Sequence, residues 1–393
     1  MKHPKHPLAL LLAALLLLAA ALPAMAAPKH DRRYGWERRR TAPPVPTDLV
    51  LCYGGSPHRK PFAWTADRYA PLVTFRDSTG REQWLFDGFL CLEFQMGRRS
   101  LNLGQHLDSG RRDDWEALLD YWLSDPETGV GALERAVAAA AERLGDPPTK
   151  RRVVMVLPDP IPYAYYADTT STTAYWGELD GRRLDFSKAE DRLAAYAWYV
   201  DRVRAHFDRA RYRHIELAGF YIVSEDLATP GDGWNPELKQ WEGVIPRLAE
   251  WLHALRETLL WIPYNRAAGY TRWRTMGIDR AYMQPNIFWG RHPDYTWERF
   301  FADVAAHDLA MELEFDEAVL ARNPDCGAFR ARLRAYMEGA RTHGIYGTRP
   351  LAYYQGQNAL WELARSTDPA DRALYGELCE FVLNNPLRKQ LSN

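Results

Sequence analysis

The chain has 393 residues, with 50 lysines and arginines against 51 aspartates and glutamates, a net charge of -1. A balance this near neutral argues against nucleic acid as a partner. Hydrophobic residues make up 47% of the chain, enough for a full core, and 15 tryptophans with 21 tyrosines exceed what packing asks for, so some are expected on a working surface.

Residues 1–27 open with lysines and histidines, continue in an apolar run from Leu8 to Leu22 and end in Ala24-Met25-Ala26. This is the pattern of a secretory signal peptide, and the run is too short to span a bilayer comfortably. No cysteine follows it closely, so no lipoprotein anchor is indicated. The expected setting is secreted or periplasmic, without stable membrane insertion after cleavage. Residues 28–46 carry Arg32, Arg33, Arg38, Arg39 and Arg40 among prolines and read as a basic flexible leader. From 47 to 393 no linker or fixed-period repeat interrupts the chain, which is expected as one domain.

Strand-like segments recur in that domain with helical ones between them, the pattern of a parallel sheet. They are Asp48 to Gly55, Trp84 to Phe94, Arg152 to Leu157, Ile215 to Glu225, Thr258 to Tyr264, Arg280 to Asn286, Leu309 to Glu317 and Pro350 to Gln355. Amphipathic helices are predicted over Asp113 to Ser124, Ala132 to Leu144, Lys188 to Ala210, Pro236 to Leu255, Tyr270 to Met276, Trp297 to His307, Phe329 to His343, Asn358 to Ala364 and Ala370 to Leu383. Eight strands with return helices make an α/β fold of the (β/α)₈ TIM-barrel type. The first βα unit shows no obvious helix, and a doubly wound open sheet is the alternative.

The stretch from Leu309 to Glu317 carries the functional argument. Its alternation sets Glu312, Glu314 and Asp316 on one side of a strand and Met311, Leu313 and Phe315 on the other. An apolar face against helices and an acidic face turned inward suit the wall of a barrel that opens on a polar site. The competing reading is a structural network paired with arginines, or a solvated edge strand. Glu93, Glu225 and Glu314 all lie at or near predicted strand ends, where a barrel gathers them at one mouth. Glycoside hydrolysis needs two carboxyls flanking the bond, one protonated and one charged. Glu225, preceded by Phe220, Tyr221 and Ile222, is the candidate acid/base, Glu314 the candidate nucleophile, and Glu312 a deeper structural acid.

Acid/base after strand four and nucleophile after strand seven resembles the plan of the retaining (β/α)₈ glycoside hydrolases that include cellulases and β-galactosidases. That clan usually has Asn before the acid/base Glu, where this chain has Ser224. The segments LVLCYGG, FDGFLCLE, GFYIVSED, WIPY, AYMQPNIFW and MELEFD more specifically resemble an exported bacterial family catalogued as a domain of unknown function. That likeness spans nearly all of the mature chain. It implies a barrel and an exported bacterial setting, and no substrate.

Aromatic side chains stack on the C–H faces of sugars, so the long loop from Pro158 to Ser187, with Tyr163, Tyr165, Tyr166, Tyr175 and Trp176, suggests a carbohydrate partner, an oligo- or polysaccharide. Tyr53, Trp261, Tyr264, Trp289 and Tyr354 are candidate platforms, and Tyr282, Gln284 and Asn286 share a face of strand six that can bond a sugar or hold the nucleophile. Glu93 joins them as a substrate contact. Arg291 and His292 are candidates for an acidic sugar, or solvated loop residues. For any one aromatic, core packing is the plainer reading. Zinc, P-loop, Rossmann and G-x-S-x-G motifs are all missing, and no metal or cofactor is expected, although Glu312, Glu314 and Asp316 keep Ca²⁺ or Mg²⁺ open as a lesser reading. Of Cys52, Cys91, Cys326 and Cys379, the first two read as buried thiols and the last two as candidates for a bridge. The sequence therefore predicts an exported glycoside hydrolase of the retaining, two-carboxylate kind. The alternative is a non-catalytic carbohydrate-binding or envelope protein on a barrel scaffold.

Overall fold

The computed structural model describes residues 44–54, 63–102, 107–165, 174–228, 241, 243–290 and 295–390. The expected signal peptide and nearly all of the expected leader, together with Tyr166, Arg291 and His292, lie outside the described residues. Eight parallel strands close into a barrel: β1 (Asp48–Tyr53), β2 (Gly88–Leu92), β3 (Arg151–Leu157), β4 (Ile215–Ile222), β5 (Thr258–Trp261), β6 (Arg280–Met283), β7 (Ala310–Phe315) and β8 (Leu351–Gln355). Each pairs with its neighbour in sequence, and β8 returns to β1 with Asp48 beside Leu351. The barrel excludes the open-sheet alternative.

The helices around it are α1 (Ala66–Val73), α2 (Arg112–Leu123), α3 (Gly129–Leu144), α4 (Ala189–Ala210), α5 (Ile245–Ala254), α6 (Trp297–Ala306), α7 (Cys326–Thr342), α8 (Ala359–Arg365), α9 (Pro369–Leu383) and α10 (Pro386–Gln390). The helix missing from the first unit's sequence pattern is α1, short and interrupted by Pro71. A helix over Tyr270 to Met276 does not form. Gly269 and Gly277, with φ of 87° and 79°, bracket that segment, and only a 3₁₀ turn at Tyr270–Arg272 remains. No helix among the described residues is long and apolar enough to cross a membrane. The Cys326–Cys379 bridge is not made. All four cysteines are free, with Cys379 buried in α9 and Cys326 half-buried at the start of α7.

β7 behaves as its alternation predicts. Met311, Leu313 and Phe315 are fully buried on the outer face against the helix layer, each worth roughly 1.5–3 kcal/mol of transfer free energy. Glu312 and Glu314 face inward, in register with Ala352 and Tyr354 of β8. β4 carries a bulge between Leu217 and Gly219 where β3 shifts register. Gly219 has φ of 153° there, and a Cβ would meet Thr258 at 2.2 Å, so only glycine lets β4 and β5 approach.

The pole away from the site is also polar. Asp48 is fully buried and takes hydrogen bonds from the Tyr353 hydroxyl at 2.8 Å and the Asn385 amide at 3.3 Å, with Arg388 at 3.2 Å. Asp87 accepts the N–H groups of Thr47 and Asp48 and pairs with Arg152 at 2.9 Å. The end of the chain thus ties the start of β1 to the sheet.

Candidate active site at the C-terminal mouth of the barrel

Glu314 occupies the inner face of β7 and is 1% exposed. Its Oε2 accepts the backbone N–H of Asn286 at 2.7 Å and the hydroxyl of Tyr336. That hydroxyl in turn accepts the N–H groups of Ile287 at 3.3 Å and Phe288 at 3.2 Å, so its own proton is left to point at Glu314. Asn286 presents its N–H from a left-handed backbone, φ 56°, a conformation Asn tolerates better than most residues. Oε1 of Glu314 is buried and has no hydrogen-bond partner. Burial pushes the Glu314 carboxyl up to about 8, against the lowering by Tyr336 and Asn286, and the charge of Glu225 adds to the rise.

Glu225 lies three residues beyond the end of β4, at the open end of the barrel. Its side chain is reached by solvent, yet the surrounding rim displaces enough water to raise its pKa, and the Gln284 amide at 3.1 Å draws it back. Gln284, next after β6, therefore reaches across to the acid of β4. The loop around Glu225 is pinned on several sides. Trp261 donates its indole N–H to the Ser224 carbonyl at 2.7 Å, Asn102 its amide to the Val223 carbonyl at 3.0 Å, and Trp241 its indole N–H to the Asp226 carbonyl at 3.1 Å. Ser224 turns its hydroxyl to the same Asp226 carbonyl, and Tyr264 donates to the Asp226 carboxylate at 3.3 Å.

Glu312 is the third acid of the group, one layer deeper and 2% exposed. Burial holds its pKa well above the usual carboxylate range, and repulsion from Glu314 and Glu225 adds to it. No cation among the described residues compensates any of the three carboxyls. Among the described residues, these three acids therefore do not form the arginine-paired network of the competing sequence reading. Asp316 does not join them. It accepts the Trp289 indole N–H at 2.9 Å and the Ala318 N–H at 2.8 Å, fixing the turn after β7.

An arc of aromatic rings borders the mouth. Phe94 meets Tyr53 at 6.0 Å, Tyr53 meets Tyr354 at 5.6 Å and Tyr354 meets Trp289 at 5.7 Å, all edge to face. It spans the ends of β2, β1 and β8 and the loop after β6, with Tyr354 and Trp289 half-buried and Tyr53 nearly covered.

Three residues expected at the site lie elsewhere. Trp176 is 2% exposed, packed on Trp115, Phe186 and Trp198 between the helices, because its indole has more apolar surface to bury there than at the rim. Tyr282 is fully buried in the barrel interior, where the charges of Asp48, Asp87 and Arg152 at the far pole act on its hydroxyl. Trp261 is fully buried on the outer face of β5, in register with Ile222, and serves as an anchor for the Glu225 loop. Glu93 is 1% exposed and takes the N–H groups of Phe94 and Gln95, which makes it a brace for its own turn. Glu225, Glu314, Gln284, Asn286, Tyr53, Tyr264, Trp289 and Tyr354 are brought to the mouth. Asp226, expected beside Glu225 among the acids gathered at the mouth, is there, and Tyr336 is central to the site without having been expected.

A family model described as "Domain of unknown function (DUF4855)" matches residues 48–380. No curated protein matches the chain. Among solved structures, a psychrophilic glycoside hydrolase family 10 endo-β-1,4-xylanase is similar at a TM-score of 0.39 and 10% identity, covering 78% of this chain and 85% of that one.

Proposed function

The chain belongs to the DUF4855 family, and we propose that it is an exported glycoside hydrolase in which Glu225 and Glu314 act on the two faces of a glycosidic bond. The observation that carries this reading is the unequal treatment of two uncompensated carboxyls across one mouth. Glu314 receives two hydrogen bonds that favour its anion, and Glu225 receives one from a neutral amide while facing solvent. Glu225 is the group placed to protonate the leaving oxygen. Glu314, ionised, attacks the anomeric carbon, and the positive charge that develops there favours its anion further. Water then releases the sugar with Glu225 as base. The aromatic arc from Phe94 to Trp289 supplies flat apolar faces for the rest of the glycan.

One observation favours a second reading. With Glu314 raised to about 8, chiefly by burial, that carboxyl holds its proton at neutral pH, where it donates to a hydroxyl as a binding group does. Hydrolysis of a panel of glycans and aryl glycosides by the wild type, Glu225→Gln and Glu314→Gln separates the two. Cleavage lost in both folded variants supports the hydrolase. Glycan binding that survives both substitutions, with no substrate cleaved, supports a non-catalytic receptor.

A further inference from the structure

Glu312 has no role in the two-carboxylate chemistry, and its surroundings are unusual for an acid. Within the barrel it accepts no hydrogen bond from any described residue, and no cation acts on it. Its partner in register on β8 is Ala352, which offers no polar atom. β4 presents Glu225 and the buried Tyr221, both close enough for their charges to be felt. α7 presents Tyr336, which is already committed to Oε2 of Glu314. What remains is Oε1 of Glu314, buried and without a partner. Residues two apart along a strand share a face at a spacing of about 6.6 Å, which two glutamate side chains are long enough to bridge, and the charges of Glu312 and Glu314 already act on one another.

We propose that Glu312 is a positioning residue that keeps its proton and donates its O–H to Oε1 of Glu314, so that the pair carries at most one negative charge. Each oxygen of Glu314 then has a donor: Asn286 N–H and Tyr336 O–H on Oε2, Glu312 O–H on Oε1. The proton stays on Glu312 throughout, and no bond to it is made or broken. The arrangement answers two problems together, because a buried polar atom without a partner is costly and an ionised Glu312 would stand beside another carboxylate.

The inference deepens the reading of Glu314 as nucleophile, but its test needs no substrate. Carbon-13 carboxyl NMR of glutamate-labelled protein is titrated for the wild type, Glu312→Gln and Glu312→Leu, with Glu314 assigned through Glu314→Gln. In the wild type Glu312 is expected to keep its proton beyond the pH at which Glu314 ionises. Glu312→Gln retains an N–H donor and leaves the Glu314 titration near its wild-type position, whereas Glu312→Leu removes the donor and raises it by about one pH unit, a tenfold weaker acid. Ionisation of Glu312 before Glu314 in the wild type overturns the proposal, as does a Glu314 titration that is the same in all three proteins. If the leucine variant fails to fold, the order of ionisation in the wild type still decides. A protein that cleaves no glycan yet shows this order would remove the hydrolase reading and leave the pair intact.

Discussion

The hydroxyl of Tyr336, carried by α7, donates to the Glu314 carboxylate while accepting two N–H groups from the turn after β6. A single side chain outside the barrel thus fixes the acid of β7 and the backbone of the neighbouring strand's loop. Tyr336→Phe removes that donor and leaves the N–H groups of Ile287 and Phe288 without their acceptor. The expected result is a Glu314 pKa raised further above about 8, read as an acid limb of kcat/KM displaced to higher pH. A stability loss of about 1–3 kcal/mol in urea unfolding should accompany it. An unchanged pH profile would show that the hydroxyl does not act on Glu314.

Glu314 is also expected to cost the fold stability. Its carboxyl titrates at about 8 when folded and near 4.5 when unfolded, so between those values the native state holds a proton that the unfolded state has lost. Stability from this group therefore falls as pH rises through that window, and the loss is complete above about pH 8. Glu314→Gln removes the penalty while keeping an oxygen for Asn286 and Tyr336. The variant should be the more stable protein at pH 8, by on the order of 4 kcal/mol, with the difference shrinking toward zero near pH 4.5. Thermal unfolding at both pH values tests it, and a variant less stable than wild type at pH 8 contradicts it.

The barrel is legible in the sequence because its strands carry apolar residues on the outer face with a distinct inner pattern, most plainly in β7. The strand ends are not. Val223 to Glu225 and Ile262 to Tyr264 keep the composition of strands but drop out of the continuous ladder, keeping only single bonds to the neighbouring strand ends while side chains take up the carbonyls of Val223 and Ile262. Tyr336 is hidden for a different reason. It sits with Leu333, Met337 and Ala340 on the buried face of α7 and reads as core. The available signal is chemical, since a phenol on a core face needs a partner for its hydroxyl. Trp176 and Trp261 were expected at the site from their residue type and from their places in the loop after strand three and near the end of strand five. Strand alternation sets Trp261 on the face opposite Leu260, and that alternation, not aromaticity, decides where it points.

Trp261 is expected to matter through the loop it holds. Trp261→Phe preserves most of the apolar burial but leaves the Ser224 carbonyl without its indole donor. A stability loss of about 1 kcal/mol is expected from the hydrogen bond. Activity should fall more steeply, by roughly ten- to a hundredfold in kcat, because Glu225 is the next residue and small misplacement of an acid is costly. Comparison of kcat with KM on the best substrate of the panel distinguishes this from simple destabilisation. A KM effect alone would place Trp261 in binding.

The far pole supplies a stability test that is independent of the site. Burial raises the Asp48 carboxyl to about 6, Arg388 offsets that rise, and Asp87 adds to it. Among the described residues, Arg388→Ala leaves a buried acid with the Tyr353 hydroxyl and the Asn385 amide as its side-chain donors, and it frees the Trp84 carbonyl that Arg388 also bonds. Removal of one partner of a buried ion pair costs about 3–5 kcal/mol, largely because the other charge stays behind. The loss should be greatest above pH 6, where Asp48 is ionised, and should ease as the acid takes up a proton below that value. Asp48→Asn in the same background removes the stranded charge and should restore part of the stability. Urea unfolding of the single and double variants at pH 5 and pH 8 measures both effects. A loss equal at the two pH values would show that Arg388 acts by packing its stem against the barrel end and not by compensating Asp48.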